Sequence, residues 1–109
     1  IETSRLKRHS ESIMAWVEGH YHETFTLSQI AEELHLTKTY ISRIFREETG
    51  ASLMEYVTAR RIRQASLLLH ETNLSVELVG EKVGFQNFSY FCQVFKKHVG
   101  LSPNQLRKT

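Results

Sequence analysis

Apolar residues along this chain recur at spacings of three and four, and almost nowhere in the two-residue rhythm of a strand. The pattern predicts helix nearly throughout. A first helix is expected from about Ser10 to Glu18, with Ile13, Met14, Trp16 and Val17 as its apolar stock and Gly19 as its stop. Thr26 can cap the next helix, and Gln29 holds the reciprocal position of a capping box. Leu27, Ile30, Ala31 and Leu34 form the inward face of that helix, and His35 and Leu36 turn the chain. Thr37 then caps a helix over 38–49 that ends near Gly50. Ser52 and Glu55 make a second capping box ahead of a long helix to about His70. Ser75 starts a helix over 76–83, Gly84 and Phe85 turn, and Asn87 or a neighbour caps a helix to about Val99. Ser102, Pro103 and Gln105 are a strong start signal for a short final helix.

These elements make an all-α chain of about seven helices. Two helix-turn-helix subdomains, over 10–51 and 71–109, are joined by a linker helix over 52–70, within a single domain over 1–109. The same pattern shows that one block is written twice. YISRIFREETGAS (40–52) matches YFCQVFKKHVGLS (90–102), with Tyr, Phe, Gly and Ser identical at Tyr40/Tyr90, Phe45/Phe95, Gly50/Gly100 and Ser52/Ser102. Upstream, with one residue inserted, LSQIAEELHL (27–36) parallels VELVGEKVGF (76–85). One structural unit is therefore used twice.

The polar faces of the repeated helix carry the candidate chemistry. On 38–49, Ile41, Ile44 and Phe45 fall on one side, and Thr39, Ser42, Arg43 and Arg46 on the other. On 88–99, Phe91, Val94, Phe95 and Val99 face inward, and Ser89, Cys92, Gln93 and Lys96 form the equivalent outer stripe. A single such stripe is ordinarily a wet surface. Two of the same design suit duplex DNA, a partner that itself repeats. Arginine pairs bidentately with guanine, glutamine with adenine, and Ser or Thr reaches base edges or phosphates. Thr39, Ser42, Arg43, Ser89, Cys92 and Gln93 are accordingly the candidate base contacts. Thr37, Lys38, Arg46, Asn87 and Lys96 are the candidate phosphate contacts. Arg43 against Gln93 implies different half-sites, and so an asymmetric target. A linker of about 18 residues is roughly 27 Å long. With part of each lobe added, it approaches the ~34 Å between successive major grooves on one face of DNA.

Composition adjusts this picture only slightly. The net charge is +2, yet the cations gather in clusters such as Arg5, Lys7 and Arg8, then Arg60, Arg61 and Arg63, then Arg107 and Lys108. Clustering of that kind suits an anionic partner. Arg60, Arg61 and Arg63 are further candidates for phosphate, with an ion pair between the lobes as the alternative for Arg61. Cys92 is the single cysteine, which fits a reducing, cytoplasmic setting. The longest leucine run is Leu67 to Leu69, so no membrane segment is expected.

The stretch VGFQNFSYFCQVFKKHVGLSPNQLR (83–107) resembles the C-terminal signature of AraC/XylS-type bacterial transcription regulators. LSQIAEELHLTKTYISRIFREETGASLMEYVTARRIRQASLLL (27–69) is similar to the first half of their DNA-binding domain. The resemblance covers about residues 10–108. It implies recognition helices over 38–49 and 87–99, sequence-specific DNA binding, and RNA polymerase as a further partner. It also implies a sensing, receiver or dimerisation domain that is absent from this chain and usually N-terminal. MAWVEGHYHETFTL is similar to members fused to a response-regulator receiver. Three positions depart from the family pattern. Gln93 replaces a basic residue, which bears on the second unit's base preference. Gly80 replaces a small residue, usually Ala, at a cost of about 1 kcal/mol that predicts a softer second unit. Leu106 replaces an aromatic, which bears on packing.

Other functions find little support. The chain has no Asp, no glycine-rich phosphate loop and no paired nucleophile and base, so no catalytic residue is assigned. The spacing of His20 and His22 matches no common zinc pattern, and no metal or cofactor is expected. A docking module that reads no bases would show apolar rather than basic outer stripes. Trp16 reads as core or lobe packing. Phe88 reads either as a thymine-methyl contact or as packing at the helix start. Cys92 reads as a small residue near the groove, with a redox switch as the alternative. Glu32 and Glu33 either meet RNA polymerase or are solvated.

Overall fold

The computed structural model describes residues 2–109, with side chains from Ser4 onward, and among them are seven α-helices and no strand. They are α1 (Glu2–His20), α2 (Leu27–Leu34), α3 (Lys38–Thr49), α4 (Leu53–Glu71), α5 (Val76–Lys82), α6 (Phe88–Val99) and α7 (Pro103–Lys108). The chain forms two compact units. The first holds α1, α2, α3 and the start of α4 through Val57; the second holds Tyr21–Glu23 and everything from Thr58 onward.

Helix α1 begins well before Ser10. Leu6, His9, Ser10, Ile13 and Val17 follow the helical spacing on one face, but two of the five are polar, so apolar periodicity alone misses the first turns. Ser10 is buried, and its hydroxyl donates to the Lys7 carbonyl at 2.9 Å. His9 Nδ1 lies 2.6 Å from the Tyr40 hydroxyl, a hydrogen bond that ties α1 to α3. At the other end the helix runs past Gly19. His20 Nδ1 donates to the Trp16 carbonyl at 2.7 Å, one turn back along the helix.

The first unit buries Ile13 and Val17 of α1, Ile30 and Ala31 of α2, Ile41, Ile44 and Phe45 of α3, and Leu53 and Val57 of α4. The second gathers Ile62, Ala65, Leu69, Val79, Val83, Phe85, Phe91 and Phe95 into one apolar cluster, with Leu106 packed against it. The same register recurs in both: Ile30 with Val79, Ala31 with Gly80, Ile41 with Phe91, and Phe45 with Phe95.

That register gives Gly80 a packing role that its helix propensity does not show. Gly80 is buried, and a Cβ there would lie 2.7 Å from Phe91 Cδ2. The ring itself is fully buried and cannot swing out. The first unit pairs Ala31 with the smaller Ile41 at these positions, and the second pairs a smaller helix residue with a larger ring. The glycine is thus the complement of Phe91.

Gly84 is constrained twice. It has φ +111°, and a Cβ would stand 2.7 Å from the Tyr21 carbonyl oxygen and 2.8 Å from Arg61 Nε. Arg61 uses that space, donating from Nε to the Tyr21 carbonyl at 2.6 Å and from Nη2 to the Glu23 carbonyl at 3.1 Å.

Gly80→Ala should therefore destabilise the protein despite alanine's better helix propensity. Overpacking costs about 1–3 kcal/mol against a propensity gain of about 1 kcal/mol. A net loss of up to about 2 kcal/mol lowers Tm by up to roughly 15 °C. Thermal denaturation followed by circular dichroism measures this, and a higher Tm would refute the Phe91 account.

Candidate nucleic-acid interface

Helices α3 and α6 are each 12 residues long and are built alike at their starts. Thr37 Oγ1 accepts from the Tyr40 amide at 3.1 Å, and Asn87 Oδ1 accepts from the Tyr90 amide at 2.8 Å. Neither helix carries a carboxylate in its first turn. Each N-terminus therefore offers amide donors and the positive end of a helix dipole. Both caps use acceptor atoms of Thr37 and Asn87, whose side chains also carry donor hydrogens.

The turns ahead of these helices are also alike. Leu36 N donates to the Ala31 carbonyl and Phe85 N to the Gly80 carbonyl, both at 3.0 Å. The residue before each has positive φ: His35 at 58° and Gly84 at 111°. The caps align Thr37 with Asn87, so the extra residue of the second copy is Gln86.

On α3 the expected residues come together. Lys38, Thr39, Ser42, Arg43 and Arg46 line one open concavity with Leu27 and Glu47, and the five polar or basic members on α3 are all exposed. Arg43 Nη1 lies 3.5 Å from Glu47 Oε1, one helical turn on, and its guanidinium sits 5.5 Å from the centroid of the Tyr40 ring. Arg46 Nη2 lies 4.0 Å from Glu55 Oε1, the same oxygen that accepts from Ser52 N at 2.9 Å. Glu47 and Glu55 are absent from the set expected from sequence. The spacing of 43 and 47 could have signalled the first pair. The second joins two helices and has no such local signal.

On α6, Ser89, Gln93 and Lys96 are exposed, as is Asn87 ahead of them. Cys92 is different: it is half-buried and packs against the apolar cluster of the second unit. Burial pushes its thiol pKa up, which disfavours the reactive thiolate that a redox switch requires. Phe88 and Tyr90 are exposed at 46% and 54%, so Phe88 is not covered at the helix start.

The clustered arginines separate into two kinds. Arg61 serves the turn at Tyr21–Glu23. Arg107 donates to the carbonyls of Leu69 and Thr72, both at 3.3 Å, and so closes the end of α4. Arg60 lies over the Tyr21 ring at 4.4 Å. These side chains have structural contacts, whereas Arg63, Lys97 and Lys108 are exposed. Trp16 donates from Nε1 to the Glu33 carboxylate, stacks on His20 at 4.0 Å and meets Phe25 edge-on at 4.9 Å. Among the described residues no three His, Cys or Glu side chains converge as metal ligands, and no helix is long and apolar enough to cross a membrane.

A family model described as a helix-turn-helix domain matches residues 30–109. The HTH-type transcriptional regulator YobQ of Bacillus subtilis (strain 168), described as uncharacterized, is 34% identical over 105 residues, covering 96% of this chain and 44% of YobQ. The chain belongs to the AraC/XylS-type helix-turn-helix family. This AraC/XylS-type domain is similar in structure to the C-terminal domain of the two-component response regulator YesN from Fusobacterium nucleatum. That match has a TM-score of 0.86 and 35% identity, over 92% of this chain and 98% of the other. It is also similar to the DNA-binding domain of the global transcriptional factor AdpA, solved in complex with a target DNA. There the TM-score is 0.85 and the identity 27%, over 91% of this chain and 89% of the other. These are regulators rather than enzymes, and this chain spans less than half the length of YobQ.

The caps make a direct prediction. Thr37→Ala and Asn87→Ala should each destabilise the fold by about 1 kcal/mol. Urea denaturation checks this, with the midpoint falling and the slope unchanged.

Proposed function

We propose that this AraC/XylS-type domain binds duplex DNA sequence-specifically in bacterial transcription regulation, with α3 and α6 entering successive major grooves. The carrying observation is the doubled recognition-type helix. Each copy is capped by a polar side chain, is free of acid in its first turn, and is polar or basic on the face away from the core. The AdpA domain solved with its target DNA supports the reading by similarity.

In this reading Thr39, Ser42 and Arg43 on α3, and Ser89, Cys92 and Gln93 on α6, reach base edges. Arg43 favours guanine and Gln93 favours adenine. Cys92, set back against the core, offers contact through size and apolarity rather than as a strong donor. Thr37, Lys38, Arg46, Asn87 and Lys96 hold phosphates and fix register. The unequal stripes call for an asymmetric site read by one chain. A sensing, receiver or dimerisation domain elsewhere in the full protein then controls this one, and RNA polymerase is the partner through which activation proceeds. The greater length of YobQ and the place of the similar YesN domain at the C-terminus of a response regulator support that arrangement.

Selection of bound duplexes from a random pool should enrich a non-palindromic site of two short elements about 10 base pairs apart. Enrichment of no sequence at all would refute specific readout. Arg43→Ala should lose about 1–3 kcal/mol of binding and relax preference at one base pair. Equal loss on every sequence would reassign Arg43 to phosphate. Lys96→Ala should weaken binding on all sequences and reduce the salt slope by about one.

A further inference from the structure

The two recognition helices differ most in what stands beside their cations. In the first unit, Arg43 is paired with Glu47 at 3.5 Å and Arg46 with Glu55 at 4.0 Å. The repeat register places Lys97 at the position of Glu47 and Gln105 at that of Glu55. Glu48 is likewise replaced by His98. Helix α3 thus carries Lys38, Arg43 and Arg46 against Glu47 and Glu48, while α6 carries Lys96 and Lys97 and no carboxylate.

Glu55 and Gln105 share a local role. Each closes a capping box: Glu55 Oε1 accepts from Ser52 N and Gln105 Oε1 from Ser102 N, both at 2.9 Å. The cap needs only an acceptor oxygen, which the amide supplies as well as the carboxylate. The charge on Glu55 is therefore dispensable for the cap. The charge also serves the contact with Arg46.

We propose that Glu47 and Glu55 are specificity-determining residues that suppress sequence-independent binding by the first unit. The inference rests on the DNA-binding reading above. An arginine that keeps its carboxylate presents little net charge to a phosphate and releases few counterions. Its guanidinium leaves that carboxylate only for a partner held in place by a docked helix: the two acceptors of a guanine edge for Arg43, and a phosphate fixed in register for Arg46. The first unit then grips DNA when base contacts form. The second unit, with Lys96 and Lys97 and no acid on its helix, attracts any duplex and serves as the anchor.

The test compares the wild-type chain with the double variant Glu47→Gln/Glu55→Gln. Both bind a random-sequence duplex and a duplex carrying the selected site, across a salt series. Gln at 55 preserves the cap, and position 47 is an exposed helix site, so an unchanged Tm establishes that both proteins are folded. The double variant should bind the random duplex roughly two- to twenty-five-fold more tightly, since each exposed pair is worth about 1.4- to 5-fold. Its salt slope on that duplex should steepen by about one to two. Its preference for the selected site should fall. The converse variant Lys97→Glu should weaken random-duplex binding and flatten the slope. Unchanged random-duplex affinity and slope in the double variant, or an undiminished preference for the selected site, would overturn the proposal. Failure of both proteins to bind any duplex would overturn the DNA-binding reading beneath it.

Discussion

Each unit depends on how closely its supporting helix can approach its recognition helix. In the second unit that distance is set by a single missing methyl group. Gly80 lets the buried Phe91 ring lie against the backbone of α5, where a Cβ would come within 2.7 Å of it. Interiors are packed to crystal density, so such a fit leaves neither ring nor helix free to shift. The first unit reaches the same architecture with Ala31 and Ile41. The polar stripe of α6 faces away from the core because Phe91 and Phe95 face into it; the surface follows from the packing beneath.

The arginines show how total charge can mislead. Arg61 and Arg107 lie within basic clusters along the chain, yet both donate to main-chain carbonyls far away in sequence. Arg43 and Arg46 face solvent but sit beside carboxylates. Helix α6, by contrast, presents Lys96 and Lys97 with no acid on the helix. A near-neutral protein thus has a functional field that is local and uneven. The two copies share their helix caps but not the acids beside their cations.

Most of the fold was legible in the sequence because its signals are local. Caps at Thr26, Thr37, Ser52, Ser75, Asn87 and Ser102 announce their helices within four residues, and the structure contains all of them. The helical face of α3 was legible for the same reason. What escaped were features whose partners lie elsewhere. The early start of α1 rests on His9 and Ser10, polar residues that occupy the buried face by bonding to Tyr40 and Lys7. The fit of Gly80 needs the position of Phe91. The pairing of Arg46 with Glu55 joins separate helices. The half-burial of Cys92 is set by the rotation of α6 on its core, and a periodic pattern locates that only to within a residue's width.

The clamp between Arg61 and the turn at Tyr21–Glu23 carries a consequence for chain order. The second unit is not a contiguous stretch of polypeptide. Three residues made before α2 complete it, and their carbonyls meet a guanidinium 38 and 40 residues downstream. The sequence repeat therefore does not mark where the molecule divides. A second copy cut out at the repeat boundary would lack the two carbonyls that Arg61 holds, and with them the oxygen that stands beside Gly84.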